Sequence, residues 1–298
     1  MTKRKLVKQG AATMMISLPS KWIKANKLEK GDEVDVEEKT NSLIIGLDTK
    51  QISKKTEINL GSLTESSIRT ILTNAYRLGY DKIKLNYQSS EALKHIKNII
   101  DNNLVGFEII KKTDKSCEIE NITEPSKEQF DNILSKVFLN IDELFEIIFL
   151  RLKGKKQEFE QTEQKIQRFD NFCRRVIAKY ELENSNLRWA FHSELIHAQR
   201  ELYHLLRYLE KNKTKENKDI SYLLEKSKEI FELLKKAYNE KNISLLEKIH
   251  DMEKELIYKE GYSFFKQSPV IIYHLLNSIR NFYLASSPLI GIFIVQEF

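Results

Sequence analysis

Glu194, His197, Glu201 and His204 recur at spacings of three, four and three, so a helix would carry all four on one stripe. Glu-x-x-His pairs on a helix have the ligand spacing with which helical bundles hold metal ions. The apolar residues of the same segment are Phe191, Leu195, Ala198, Leu202, Leu205 and Leu209. They fall about 100° away around the helix. The stripe is therefore expected at the edge of a core or in solvent, where an ordinary solvated Glu–His face competes with a metal site. A second chemistry is electrostatic. Lys3, Arg4, Lys5, Lys8, Lys21, Lys24 and Lys27 all precede the first acidic residue, Glu29. A block of one sign on a folded segment attracts a polyanion, although a solubilising surface accounts for the charge as well. If the polyanion is duplex DNA, Arg4, Lys5 and Lys8 on a first strand and its turn, with Lys21 at a helix start, are the contacts to expect. A guanidinium can pair with guanine through two hydrogen bonds, so Arg4 is the base reader and the lysines position the backbone. Ser17 and Thr13 read as turn hydroxyls before they read as phosphate ligands, and Trp22 reads as core. The chain has no nucleophile elbow, no metalloprotease helix motif and no glycine-rich phosphate loop, so catalysis is not expected.

These residues need elements to hold them. The chain has 298 residues with 41% hydrophobic and 31% charged side chains, a globular composition. Only 9 glycines and 4 prolines interrupt it, which favours long helices over an all-β fold. The net charge of +6 decides little by itself. Cys117 and Cys173 stand far apart and read as neutral thiols in a reducing compartment. The charged beginning of the chain lacks the apolar run of a secretory signal. Residues 269–295 are the most apolar stretch, but His274, Asn277, Arg280, Asn281 and Pro288 break it. A buried terminal helix is expected there, not a membrane span, and a cytoplasmic location follows.

Residues 4–9 and 13–18 read as strands separated by Gly10. Pro19 opens a short helix, where its missing N–H costs nothing. After the Lys30-Gly31-Asp32 turn, Glu33 to Glu37 alternates as a half-buried strand should, and residues 43–47 close the unit beyond a turn at Thr40, Asn41 and Ser42. Fewer than fifty such residues cannot bury enough surface alone, and no metal or disulfide is at hand. A second copy is the expected remedy. Residues 51–124 then alternate as βαβαββ, with strands at 57–60, 82–87, 106–111 and 117–122, and with helices starting at Thr64 and at Ser89 or Ser90. From residue 125 onward only helices are expected: 126–153, 158–180, 186–210, 219–239, 244–259 and 269–285. Ser126, Ser185, Asp219, Ser244 and Ser268 are the expected N-caps.

The run Arg4-Lys5-Leu6, Gly10, Thr13, Ile16-Ser17-Leu18-Pro19, Trp22, Leu28 and Lys30-Gly31-Asp32-Glu33-Val34 resembles the swapped-hairpin DNA-binding domain of the AbrB/SpoVT type. It covers about the first fifth of the chain. The remaining layout, with the string Asp170-Asn171-Phe172-Cys173-Arg174-Arg175, resembles archaeal PhoU-type regulators. Together the resemblances imply a multidomain α+β chain: a dimeric swapped-hairpin β-barrel at residues 1–48, a small α/β unit at 51–124 and an all-α PhoU-like bundle at 125–298. They imply a homodimer on double-stranded DNA that regulates transcription in phosphate uptake or homeostasis. The alternative is a signalling adaptor whose bundle docks on a phosphate transporter or sensor kinase. PhoU bundles also hold metal clusters through Asp/Glu-x-x-x-Asp motifs. Glu247 and Asp251 have that spacing, whereas Ile166 stands four residues before Asp170, which puts a symmetric cluster in doubt.

Overall fold

The computed structural model describes residues 3–10, 13–39, 42–46, 53–61, 63–123, 127–180, 182–214, 216–265 and 268–297. The turn expected at Thr40 and Asn41 and the N-cap expected at Ser126 lie outside them. The chain divides into two compact units, Met1–Ile52 and Ser53–Phe298.

The first unit holds two separate antiparallel hairpins. Strands β1 (Val7–Gln9) and β2 (Thr13–Met15) pair with Val7 opposite Met15 and Lys8 opposite Met14, and Gly10 takes a φ of 71° as the chain turns. Helix α1 (Ser20–Ala25) follows Pro19. Strands β3 (Asp35–Lys39) and β4 (Ser42–Gly46) pair with Val36 opposite Ile45 and Glu38 opposite Leu43. Alternation and turn chemistry place these elements well, but no described residue of this unit is buried. Trp22, expected in a core, is half-buried in the single chain.

The second unit begins with a four-stranded sheet in the order β5-β6-β8-β7. Its strands are β5 (Lys55–Asn59), β6 (Lys82–Asn86), β7 (Phe107–Lys112) and β8 (Ser116–Asn121). β5 runs parallel to β6 across helix α2 (Glu65–Arg77), and the remaining pairs are antiparallel. α2 and α3 (Ser90–Asn103) close one core with the sheet, built on Leu60, Ile68, Leu72, Tyr76, Ile83, Leu85, Ile96, Ile99 and Ile119. Thr64 and Ser89 cap the two helices by accepting from the backbone N–H groups of Ser67 and Ala92. Gly79, at a φ of 82°, ends α2 in the left-handed conformation a side chain would resist.

The helical body comprises α4 (Phe130–Leu152), α5 (Glu160–Lys179), α6 (Ser185–Lys211), α7 (Lys218–Glu240), α8 (Ile243–Lys254), the single turn α9 (Gly261–Phe264) and α10 (Pro269–Glu297). One continuous apolar core joins them, with Phe145, Phe231 and Phe282 near its centre. Three details depart from the sequence reading. A π-helical turn, Glu255–Lys259, interrupts the helix expected over 244–259. Three helix starts use asparagines in place of the expected Ser185, Asp219 and Ser244. Asn217 and Asn242 accept from the N–H groups of Ile220 and Ser244, and Asn184 precedes α6 in a left-handed conformation. Finally, α10 continues through Pro288 to Glu297, beyond the expected end at Ala285. Leu289, Ile292 and Phe293 are buried past that proline. Their packing offsets the roughly 3 kcal/mol that an interior proline costs a helix. No helix among the described residues is long and apolar enough to cross a membrane.

Candidate functional site

The basic residues at the start of the chain are all available to a partner. Arg4, Lys5 and Lys8 lie on and beside β1, Lys21 lies in the first turn of α1, and all four are exposed. Among the described residues none of them is paired with a carboxylate. Arg4 Nη1 donates to Ser17 Oγ at 3.4 Å, which links the segment before β1 to the segment before Pro19. The expected hydroxyl role of Ser17 is therefore a contact within the chain. The same unit carries apolar side chains with no core to enter. Leu6, Val7, Met14, Met15, Ile16, Val36, Leu43 and Ile44 are all exposed, Leu6 to 63% and Leu43 to 61%. The same unit thus combines unpaired positive charge with apolar area that water disfavours.

The expected metal stripe does not assemble. Glu194 and His197 pair with each other at 3.7 Å near the protein surface. Glu201 turns instead to α10, where His274 Nδ1 lies 2.7 Å from its Oε2. The His204 ring is 6.1 Å from that of His274, and burial lowers the pKa of His204. From Glu194 to His204 the helix rises about 15 Å, too far for one cation. Glu247 and Asp251 are exposed on α8, and His250 between them stacks on Tyr283. Among the described residues no group of three metal-ligating side chains converges. The carboxylate that α8 does bury is Glu253, which accepts from Arg280 of α10.

The Asp170–Arg175 string has a different use, which its sequence conceals. Every residue in it is buried, and it fastens α5 to the α/β layer. Arg175 donates to the carbonyls of Tyr76 and Tyr80 at 3.0 and 2.8 Å and to Asp81 at 2.5 Å. Lys179 reaches the same carboxylate at 2.6 Å. The backbone N–H of Lys54 bonds its other oxygen at 3.1 Å. Burial works to raise the Asp81 pKa, but Lys179 and Arg175 outweigh it and hold the group below its ordinary value. One turn earlier on α5, Asp170 is wholly buried. It accepts from Arg174 at 2.8 Å, lies 3.0 Å from His192 Nδ1 and lies 3.5 Å from Arg77. Burial also works against the Asp170 anion, and Arg174 leads the cations that keep it ionised. Burial lowers the His192 pKa, so the imidazole is neutral and its Nδ1–H donates to Asp170. Asn171 completes the seam by accepting from Arg77 at 2.8 Å and donating to the Asn103 carbonyl at 3.0 Å. Both cysteines are free and buried. Burial pushes Cys117 up to about 11 and Cys173 well above its ordinary value, so neither is a ready thiolate.

The architecture is thus a small, basic, strand-rich unit ahead of an α/β layer and a helical body. Residues 7–57 match a family model described as antidote-toxin recognition MazE, bacterial antitoxin. The match spans about one sixth of the chain and covers the first unit from Val7 onward with the beginning of β5. No curated protein and no solved structure matches the chain at a significant level.

Proposed function

We propose that the protein is a DNA-binding regulator, not an enzyme, that works as a homodimer. Its first unit meets the double helix and its helical body receives the signal. One observation carries this reading: the same small unit exposes its apolar strands and leaves Arg4, Lys5, Lys8 and Lys21 without carboxylate partners among the described residues. Two copies that interleave their hairpins into one barrel would bury the strands. The same step would place two sets of cations side by side, matching the two-fold symmetry of a palindromic site. The match to the MazE model over 7–57 supports the same assignment. Two free, buried cysteines suit a cytoplasmic protein. Control of phosphate uptake is the finer part of the proposal. It rests on the resemblance of the layout to PhoU-type regulators, and reporter assays with and without phosphate starvation would test it.

The DNA reading is tested by fluorescence anisotropy with duplex DNA across a salt series. If each protomer neutralises about four phosphates, the log–log slope for the dimer is about −7. Arg4→Ala should reduce discrimination between sequences, and Lys8→Ala should weaken all sequences alike. Salt-insensitive binding, or no binding at low salt, rejects the proposal. A second reading is a signalling adaptor that docks through its body on a transporter or sensor kinase, with the first unit serving only to dimerise. Leu139 on α4 and Tyr273 on α10, both exposed, favour it. Retardation of promoter DNA at physiological salt separates the two readings.

A further inference from the structure

Between α2 and α3 of the α/β layer and α5 and α6 of the helical body lies a cavity of about 490 Å³. It falls in the size range of sites for small metabolites, yet its walls differ from the usual apolar lining. Its charged residues are Arg69, Arg77, Arg200 and Glu163. Most of the remaining wall is carboxamide and hydroxyl, including Asn74, Asn98 and Asn102. Tyr203 adds a ring with a hydroxyl.

The guanidinium groups are short of acceptors. Arg77 uses two of its N–H groups on Asn171 and Asp170, and the rest have no acceptor among the described residues. Arg200 has no hydrogen-bond acceptor there at all, while its charge still reaches both Arg77 and Glu163. Arg69 is tied to Glu65 at 2.5 Å on its own helix. Glu163 is the single carboxylate in the wall. Burial raises its pKa against the pull of Arg200 and Arg69, which weakens it as a counter-ion for Arg200. The polar face of α2, at residues 66, 69, 70, 73, 74 and 77, supplies much of this wall. Its apolar face packs on the sheet.

We propose that this cavity binds a phosphorylated polyol of sugar-phosphate size, with the phosphoryl group at Arg77 and Arg200 and the hydroxyls on the amides. Two forked cations suit a doubly charged phosphoryl group with three acceptor oxygens better than a single carboxylate. The volume far exceeds a bare phosphate ion, and the scarcity of apolar wall disfavours a ligand that binds through an exposed ring face. The site is independent of whether the first unit binds DNA.

The test is calorimetry and thermal unfolding of the full chain with glucose 6-phosphate, glucose and inorganic phosphate as separate probes. Glucose 6-phosphate at millimolar concentration should bind and raise the unfolding midpoint, whereas glucose should do neither. Arg200→Ala should weaken binding about tenfold or more, and Glu163→Gln, which removes the competing carboxylate, should tighten it severalfold. Opposite signs are the signature, since a merely structural effect would move both variants the same way. Absence of binding by glucose 6-phosphate overturns the proposal. So does equal binding of inorganic phosphate, which would mean an ion subsite only, and so does equal weakening by both variants.

Discussion

The two units handle burial in opposite ways. The first has two hairpins and a helix, but leaves every described side chain at least partly exposed, with Leu6 and Leu43 largely in water. The second buries not only a large apolar core but also charged side chains, including Asp170, Arg174, Arg175 and Glu253. Apolar area left in water calls for a partner from outside the chain. Charge taken out of water calls for a partner already within it, because an unpaired buried ion costs several kcal/mol. Side-chain burial therefore separates a region whose apolar side chains stay in water from one that encloses its own core and pairs its buried charges.

The sharpest way to break this contrast lies in the second unit. Arg175→Met leaves Asp81 with the Lys179 ammonium and the Lys54 N–H and takes the guanidinium donor from the Tyr76 and Tyr80 carbonyls, which should destabilise the protein by about 3 kcal/mol in thermal or urea unfolding. A loss below about 1 kcal/mol would mean that the seam is decorative. Next in size is Leu43→Lys in the first unit, where a lone chain loses almost nothing. In a dimer the charge would enter the interface, so light scattering should show a shift from dimer to monomer and DNA affinity should fall about tenfold or more. A wild-type protein that is already monomeric at micromolar concentration would sink the contrast outright.

A smaller effect follows from pH. The folded chain resists protonating His192, whose pKa lies below the ordinary 6.5, so acidification through that value favours the unfolded state. Asp170, held below the ordinary 3.8, adds its loss only at lower pH, as the folded group is finally protonated. Stability should decline as the pH falls through about 6.5 toward the lower folded pKa of His192, and His192→Asn should flatten that decline. The smallest expected change is Asn217→Ala, which removes the cap of α7 and should cost about 1 kcal/mol without altering oligomeric state or DNA binding.

Much of the local structure was legible in the sequence. Alternation at Glu33 to Glu37 and at 82–87 announced strands, and β5 differs from its expected place by a shift of two residues toward the N-terminus at its start. The helical stripes located α4 to α8 within a few residues. The helix ends were less legible, because Asn217 and Asn242 each cap from two positions before the residues that looked strongest. Pro288 misled for a different reason: a local rule against interior proline yields to tertiary packing, which no local pattern records. The seam was hidden altogether. Arg175 and Asp81 lie 94 residues apart and Lys179 and Asp81 lie 98 apart, and each reads locally as an ordinary solvated charge. The Asp170–Arg174 pair at one helical turn was the available hint. The metal stripe shows the reverse error, where spacing on one helix says nothing about whether a neighbouring helix offers the remaining ligands.

Lys54 holds the backbone of the second unit's opening residues to Asp81, and Asp81 is gripped in turn by Arg175 and Lys179 of α5. The chain leaving the first unit is therefore moored to the same post that receives the helical body. A rearrangement of α5 that displaced Arg175 and Lys179 would loosen the carboxylate that holds the Lys54 backbone.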